Sequence, residues 1–211
     1  MERYYSERAS EYDRIYEIAK RQNDLAEMKR RVSDFSKARS IFEVAAGTGY
    51  WTKVMSASAK RIFASDINQT VMNIARSRDY GLCETTIVTA DALSPVRCEW
   101  PCDGVFAGFW VSHVGVDEMP DFLKSLHKCA VSNASVMFID NCYVDGESTP
   151  IHRFDSSGNG YQTRYLEDGR EFEVMKNYPG REDFADWLGS RASGINYQRN
   201  KYYWSVRYTV Q

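Results

Sequence analysis

The chain has 211 residues, of which 43% are hydrophobic and 27% are charged, and its formal net charge at pH 7 is −2. This balance is typical of a globular protein and allows a single domain with a substantial core. The small net charge argues against a protein built mainly to bind nucleic acid. The longest apolar stretch, residues 105–116, is too short and too polar to span a membrane. We therefore expect neither nucleic acid nor membrane among its partners.

The amino terminus is charged from its second residue, which argues against a secretory signal. The five cysteines are odd in number and scattered, so they do not predict a disulfide framework, and no second Cys/His pair completes a zinc site with Cys98 and Cys102. We expect reduced thiols in a cytoplasmic protein that binds no metal.

Residues 1–38 contain no Gly or Pro and are rich in Glu, Arg, Lys and Ala, which predicts helical structure. From residue 39 onward, short β-branched or aromatic segments alternate with helical ones. Strands are predicted at SIFEVAA, RIFASD, TTIVTAD, DGVFAGFW and SVMFID, and helices begin near Tyr50, Asn68 and Asp117. This alternation predicts a doubly wound, Rossmann-like α/β fold with a mostly parallel sheet.

The pattern changes after Asp140. Residues 147–162 are typical of a loop, and residues 161–176 are typical of a β-hairpin that turns at Asp168-Gly169. Such a turn places Tyr165 opposite Phe172, Arg164 opposite Glu173, and Glu167 opposite Arg170. A short helix near residues 182–188 and an antiparallel strand pair follow.

One domain over residues 1–211 is therefore expected. Its parts are a helical lid at 1–38, a ligand-binding core at 39–141, a loop and hairpin over the active site at 142–180, and a closing helix and strands at 181–211.

The first predicted strand runs into a glycine turn, Glu43-Val44-Ala45-Ala46-Gly47-Thr48-Gly49. A dinucleotide-binding turn requires a further glycine at the position of Thr52. The segment resembles more closely the first motif of the class I S-adenosylmethionine-dependent methyltransferases, an acid followed by Gly-x-Gly-x-Gly. Ala45 replaces the first glycine of that motif.

The resemblance implies S-adenosylmethionine (SAM) as cofactor and S-adenosylhomocysteine (SAH) as product. The acid in the first strand would hold the ammonium group of SAM, and the glycine turn would approach its methionine part. Asp66, which ends the second strand, would bind the ribose hydroxyls. Asp91, which follows the third, would accept from the adenine amino group. The full set of predicted cofactor contacts is Tyr5, Tyr12, Glu43, Ala45, Gly47, Gly49, Trp51, Asp66, Ile67, Asp91, Ala92 and Phe109.

Tyrosines crowd one side of the predicted lid, at positions 4, 5, 12 and 16. In related small-molecule methyltransferases such a segment folds over the cofactor. Aromatic faces attract a sulfonium by cation–π interaction, and Trp51 and Trp110 are further candidates for this role. Ordinary helix packing is the alternative for each of these aromatic residues.

His113 lies at the carboxyl end of the fourth predicted strand, where ligands bind in such sheets. An imidazole there is a candidate general base, and the alternative is a polar histidine that orients a neighbour. The predicted substrate contacts are Trp110, His113, His152, Arg153 and Lys176.

We therefore predict methyl transfer from SAM to an oxygen or nitrogen of a small molecule. Many members of the family it resembles that methylate amino groups of nucleic acids carry an Asn/Asp-Pro-Pro-aromatic sequence after the fourth strand. This chain has none there, so the resemblance favours an acceptor other than a nucleic-acid base amine. Two alternatives stay open: an NAD(P)-dependent oxidoreductase of the same fold, and a SAM-binding protein with a non-methylating reaction. The sequence leaves open whether the protein is a monomer or a homodimer.

Overall fold

The computed structural model describes residues 2–96 and 98–211, with only the backbone at Glu2. Within these ranges the α-helices are α1 (Glu2–Glu7), α2 (Gln22–Ser36), α3 (Tyr50–Ser56), α4 (Gln69–Ser77), α5 (Met119–His127) and α6 (Arg181–Leu188). Short 3₁₀ turns lie at Ala9–Tyr16, Ala19–Arg21, Val111–His113 and Gly189–Arg191. None of the helices described is long and apolar enough to cross a bilayer.

The strands of the main sheet are β1 (Ser40–Val44), β2 (Arg61–Asp66), β3 (Glu84–Thr89), β4 (Gly104–Gly108), β5 (Ser135–Asn141), β9 (Ala192–Arg199) and β10 (Tyr203–Val210). A smaller sheet contains β6 (Arg153–Phe154), β7 (Gly160–Tyr165) and β8 (Glu171–Met175).

The main sheet has the order β3-β2-β1-β4-β5-β10-β9. Its first five strands in that order are parallel, and the closing pair β10 and β9 is antiparallel. The chain order reverses between β1 and β4, which brings the loops after these strands to one edge. Ligands of doubly wound folds bind at such a reversal. The doubly wound Rossmann-like fold predicted from the sequence is confirmed.

The central strands are covered on both faces, so their sequences are nearly continuous apolar runs rather than alternating ones. All five residues of β1 are buried, and so are four of the five in β4. Helix α5 buries one apolar stripe against the sheet, formed by Met119, Phe122, Leu123 and Leu126. The predicted strands and helices of residues 39–141 therefore follow directly from hydrophobic periodicity.

Helix α4 begins at an N-cap that the sequence signals clearly. The Asn68 side chain accepts from the backbone N–H groups of Thr70 and Val71, at 3.0 and 3.4 Å. This satisfies two donors that the first helical turn leaves without partners. Because Asn68 follows β2 by only two residues, the same cap places its side chain at the carboxyl edge of the sheet.

The amino-terminal segment is less regular than predicted. Helix α1, two 3₁₀ turns and α2 replace the continuous helix expected over residues 1–38, and Ile18 between the turns is extended.

The predicted pairing of the hairpin is wrong by one residue. The structure pairs Thr163 with Glu173, Arg164 with Phe172, and Tyr165 with Glu171. The strands end earlier than predicted and are joined by residues 166–170, with Leu166 N–H donating to the Arg170 carbonyl. A five-residue loop around Asp168-Gly169 shifts the register, and a shift of one residue moves every side chain to the other face.

Candidate active site

A cavity of about 230 Å³ lies at the carboxyl ends of β1, β2, β3 and β4. Its wall combines the loops after these strands with the amino-terminal segment. The lining residues are Tyr5, Tyr12, Ala45, Gly47, Asp66, Ile67, Asn68, Val71, Asp91, Ala92, Gly108, Phe109, Trp110 and His113. Nine of the twelve predicted cofactor contacts are among them; Glu43, Gly49 and Trp51 are not.

The turn after β1 is built from residues with positive φ, at 52° for Ala45, 56° for Gly47 and 76° for Gly49. Glycine adopts this conformation freely, whereas alanine is strained by about 1 kcal/mol or more. Ala45 therefore adopts the left-handed conformation that glycine favours, although it carries a methyl group. The substitution keeps the shape of the turn and adds an apolar atom to the cavity wall.

Gly49 serves packing rather than ligand approach. A Cβ atom placed there would lie 2.4 Å from the Tyr80 hydroxyl and 3.1 Å from Cβ of Ala75. The residue thus lets α3 begin against α4, outside the cavity. The same test finds no atom within 4 Å of a Cβ at Gly47.

Glu43 is buried beneath the turn and faces α3. Its Oε2 accepts from the Thr52 hydroxyl at 2.6 Å, and burial raises the pKa of the Glu43 carboxyl to about 8, although the Thr52 hydrogen bond acts against this. The structure therefore does not support the predicted direct contact of Glu43 with an ammonium group. Thr52, which distinguished the two sequence templates, is the residue that fixes this carboxyl.

Two carboxylates flank the cavity. Asp66 accepts from the backbone N–H of Gly47 at 2.9 Å and from that of Asn68 at 2.8 Å, so it ties the turn after β1 to the turn after β2. Asp91 accepts from the Leu93 N–H at 2.9 Å. Ile67 is 46% exposed, a large apolar side chain on the cavity wall beside Asp66.

The loop after β4 adds two aromatic residues. Phe109 has a φ of 60°, unusual for a bulky residue, and its ring stacks on Trp51 with centroids 6.0 Å apart. Trp51 donates to the Tyr16 hydroxyl and is buried behind Phe109, so it supports the wall without lining it. The indole N–H of Trp110 is buried and has no hydrogen-bond partner among the described residues. It is a donor that lines the cavity unpaired.

The amino-terminal segment closes over this edge of the sheet. The Tyr5 hydroxyl lies 2.8 Å from Nε2 of His113, and Tyr5 packs edge-on against Tyr12. Ion pairs between Arg14 and Glu167 and between Glu7 and Arg170 hold the same segment to the hairpin. The predicted lid and hairpin therefore meet above the cavity.

His113 is held on both ring nitrogens. Nδ1 lies 2.7 Å from the Met175 carbonyl, which can only accept, so Nδ1 carries the proton and Nε2 accepts from the Tyr5 hydroxyl. Burial, reinforced by the charge of Lys176, lowers the pKa of His113 to about 3. The imidazole is neutral at physiological pH and is a weak base in this arrangement.

Lys176 lies at the end of β8 with its ammonium buried. It donates to the Asp140 carboxylate at 2.8 Å and to the Ser112 hydroxyl at 2.5 Å. Burial lowers the pKa of Lys176 against the opposing effect of Asp140; in Asp140 burial is outweighed by Lys176, so its pKa lies below the usual value. The residue predicted as a substrate contact is thus an ion-paired part of the site floor.

The side chains of His152 and Arg153 do not line the cavity. Both side chains are exposed and bind Glu173, at 3.0 Å for His152 Nε2 and 2.8 Å for Arg153 Nε. Glu173 is available because the hairpin register differs from the predicted one. We therefore withdraw these two substrate contacts.

A second cavity of about 230 Å³ adjoins the first. The two share Tyr5, Tyr12, Phe109 and His113. The second extends between the amino-terminal segment and the hairpin, and its wall also carries Arg8, Arg21, Asn141, Arg164, Lys176 and Tyr178. In the part of the chain that the structure describes, no group of three or more His, Cys, Asp and Glu side chains is placed to hold a metal ion.

Sequence reasoning missed Asn68, Val71 and Gly108 in the first cavity. For Asn68, its position as the N-cap of α4 directly after β2 could have indicated that it lies at this edge of the sheet. It also missed the arginines of the second cavity, since residues 8, 21 and 164 are brought together only by the tertiary fold.

Comparisons with known proteins show which proteins this chain resembles. A methyltransferase-domain family model matches residues 41–133. The solved DhpI–SAH complex is similar over 99% of this chain and 94% of that one, with a TM-score of 0.78 and 22% identity; the DhpI–SAM–HEP complex gives 0.76 and 23%, over 97% and 94%. A probable ribosomal RNA small subunit methyltransferase A of Pyrococcus abyssi is 29% identical over 115 residues, 54% of this chain but only 40% of that protein.

The fold is Rossmann-like, and the first cavity lies at the edge of the sheet where doubly wound folds bind their ligands. Residues 41–133 match the methyltransferase-domain family, and the fold of the chain is similar to that of the two solved complexes. These matches agree with the sequence-based prediction of a SAM-dependent methyltransferase.

Proposed function

We propose that the protein transfers a methyl group from SAM to an oxygen or nitrogen of a small molecule held in the second cavity. The observation that carries this proposal is the wall shared by the two cavities, Tyr5, Tyr12, Phe109 and His113. Cofactor on one side and acceptor on the other would meet at these residues, which is the arrangement that a direct transfer needs.

The residues of the first cavity fit the cofactor. Asp66 and Asp91 offer carboxylates to ribose hydroxyls and to an adenine amino group, and Ile67 offers an apolar surface to the base. The turn at Gly47 leaves open space where a Cβ would stand, and the unpaired Trp110 indole offers a donor. These features support the predicted contacts of the cofactor.

When bound, SAM supplies a methyl group already activated by its sulfonium. The chain then has to hold the acceptor in line and exclude water. Tyr5 and Tyr12, part of the lid over the shared wall, provide both functions. Their aromatic faces, with that of Phe109, also suit a positive sulfonium.

His113 has a restricted part in this chemistry. An acceptor proton reaches Nε2 through the Tyr5 hydroxyl, which accepts that proton as it donates its own. With a pKa of about 3, His113 suits an acceptor that loses its proton readily, or a neutral amine that reacts unaided. His113 is thus proposed as a catalytic base that receives the acceptor proton through Tyr5.

The contact between the amino-terminal segment and the hairpin favours a small-molecule acceptor over a nucleic acid. The Tyr5–His113 hydrogen bond lies on the wall that the two cavities share, and the ion pairs of Arg14 and Glu7 attach the amino-terminal segment to the hairpin. An RNA strand that reached the second cavity between these segments would have to separate them. The relative from Pyrococcus abyssi that is named for ribosomal RNA matches only 54% of this chain. Its named substrate is therefore weak support for an RNA acceptor here.

The test is to incubate the full chain with methyl-labelled SAM and a panel of small-molecule acceptors, with ribosomal RNA in parallel, and to measure SAH release and the labelled product. We expect label on a small molecule. Label on RNA alone would overturn the choice of acceptor class. Label that never leaves SAM would favour the non-methylating alternative.

We also propose a cytoplasmic location and a single domain over residues 1–211. All five cysteines are free, as expected in a reducing compartment. Fractionation of the cells that make the protein, and limited proteolysis, test the two statements. A membrane or extracellular fraction, or two stable fragments, would contradict them.

A further inference from the structure

The second cavity has an excess of positive charge. Four cationic side chains line it, and Glu147 is the acid among its lining residues. Glu147 is already paired with Lys20 and Lys201, both outside the lining. Lys176 is neutralised by Asp140. The charges of the three remaining cations, Arg8, Arg21 and Arg164, therefore determine which ligand charge the cavity favours.

Arg8, Arg21 and Arg164 form no salt bridge with any acid in the described ranges. Arg8 donates to the Tyr4 hydroxyl at 2.7 Å. The Arg21 guanidinium lies 5.3 Å from the ring centroid of Tyr202, and its Nε is buried without a hydrogen-bond partner in the described structure. These contacts hold the side chains in place but leave their charges uncompensated.

Arg164 has this position because of the hairpin register. With Arg164 opposite Phe172 rather than Glu173, the guanidinium donates to the neutral Gln162 Oε1 at 2.5 Å. Its charge reaches other groups of the site, since it acts with burial to lower the pKa of His113 and of Lys176.

Three arginines without acidic partners in the described part of the chain line one cavity, and binding of a counterion would stabilise this arrangement. Like charges near one cavity repel, and a buried guanidinium donor without an acceptor loses the hydrogen bonds it would make in water. An anion between them would remove both costs. Arginine is also the side chain best suited to oxygen anions, because its planar fork donates two parallel hydrogen bonds.

We propose that the second cavity is an anion site in which Arg8, Arg21 and Arg164 hold a carboxylate, phosphate, phosphonate or sulfate group of the methyl acceptor. This inference rests on the proposed function for the acceptor's role, while the anion site itself rests on the cavity. The anionic group is held at the arginines, and another part of the acceptor reaches the wall of Tyr5, Tyr12, Phe109 and His113.

Anion binding is measured first, because it does not require turnover. The full chain saturated with SAH is titrated with sodium phosphate, sulfate and acetate at constant ionic strength, by calorimetry and by thermal shift. We expect saturable binding of at least one anion, and the order of the three probes separates phosphoryl or sulfuryl from carboxylate preference.

The matched variants are Arg164→Gln and Arg21→Gln against Arg30→Gln on the exposed face of α2. Loss of one charge-assisted contact should weaken anion binding about tenfold or more, whereas R30Q should bind as the parent does. Arg164→Lys keeps the charge and should recover part of the affinity, which separates a lost contact from a folding defect. Absence of saturable binding, or equal affinity in R164Q and R30Q, overturns the proposal.

Turnover is then measured with acceptors in matched pairs, each acid beside its neutral amide, by SAH release. We expect transfer to the acid and a KM for it that rises in R164Q. Transfer to amides alone would overturn the anion site and keep the methyltransferase function. Anion binding without methyl transfer to any acceptor would overturn the methyltransferase function and keep the anion site.

Discussion

The Tyr5 hydroxyl donates to Nε2 of His113 across 2.8 Å, joining residues 108 positions apart in the chain. One belongs to the first helix and the other to the loop after β4. This hydrogen bond attaches the amino-terminal segment to the carboxyl edge of the sheet, above the wall that the two cavities share. Closure of the site and the protonation of its histidine therefore depend on the same contact.

Tyr5→Phe should loosen this closure while keeping the ring. The variant loses one buried hydrogen bond, about 1 kcal/mol, so we expect the KM for SAM to rise about fivefold. Steady-state kinetics on the acceptor found in the screen measure KM and kcat separately. Tyr165→Phe, at the exposed end of β7, is the control. Identical kinetics in Tyr5→Phe and the parent would contradict a role for the contact.

Lys176→Met should destabilise the protein strongly. It leaves the Asp140 carboxylate buried without its cation, which typically costs about 3–5 kcal/mol. Urea unfolding measures the change. The double variant Lys176→Met/Asp140→Asn removes the charge as well and should regain part of the loss, while Lys128→Met on the surface serves as control. A double variant less stable than Lys176→Met would argue against the pair.

Glu43 predicts a dependence of stability on pH. The folded chain keeps the Glu43 proton up to about pH 8, whereas the unfolded chain releases it near 4.5. The folded state therefore binds more protons between these values, and the free energy of unfolding falls as pH rises, by up to about 1.4 kcal/mol per unit.

Unfolding of Glu43→Gln from pH 5 to pH 8.5 should lack this decline, because glutamine still accepts from Thr52 but does not titrate. The exposed Glu182→Gln should follow the parent. A parallel decline in Glu43→Gln and the parent would show that another group is responsible.

The two glycines of the turn should respond differently to alanine. Gly49→Ala brings a Cβ against Tyr80 and Ala75 as well as a strained φ, so we expect a loss of stability of about 2–3 kcal/mol. Gly47→Ala meets open space and should cost about 1 kcal/mol, but it lines the cavity and should weaken SAH binding more than Gly49→Ala does. Unfolding and SAH titration of both variants check this, and the opposite ranking would contradict it.

The parts of the site that the sequence predicted are those placed by local rules. Asp66 and Asp91 follow predicted strands, and parallel strands bring their carboxyl ends to one edge, so their meeting in a cavity needed only the strand order. Ile67, Ala92 and the turn at Gly47 follow for the same reason.

The parts that were missed depend on contacts between distant segments. The hairpin register was misjudged because Asp168-Gly169 lies in a five-residue loop, and that single shift moved Arg164 into the site and left Glu173 to Arg153 and His152. Glu43 was assigned to a ligand because a carboxylate in a motif does not show which way it faces. The partnership of Lys176 with Asp140 joins residues 36 apart, and hydrophobic periodicity does not report such pairs.

Calorimetric titration of the full chain with SAH tests the central claim, that the cavity beside Asp66 and Asp91 holds the cofactor. We predict one SAH per chain. Asp66→Asn should weaken binding about tenfold or more, and the exposed Asp34→Asn should bind as the parent does. No SAH binding, or equal affinity in Asp66→Asn and Asp34→Asn, would contradict the account.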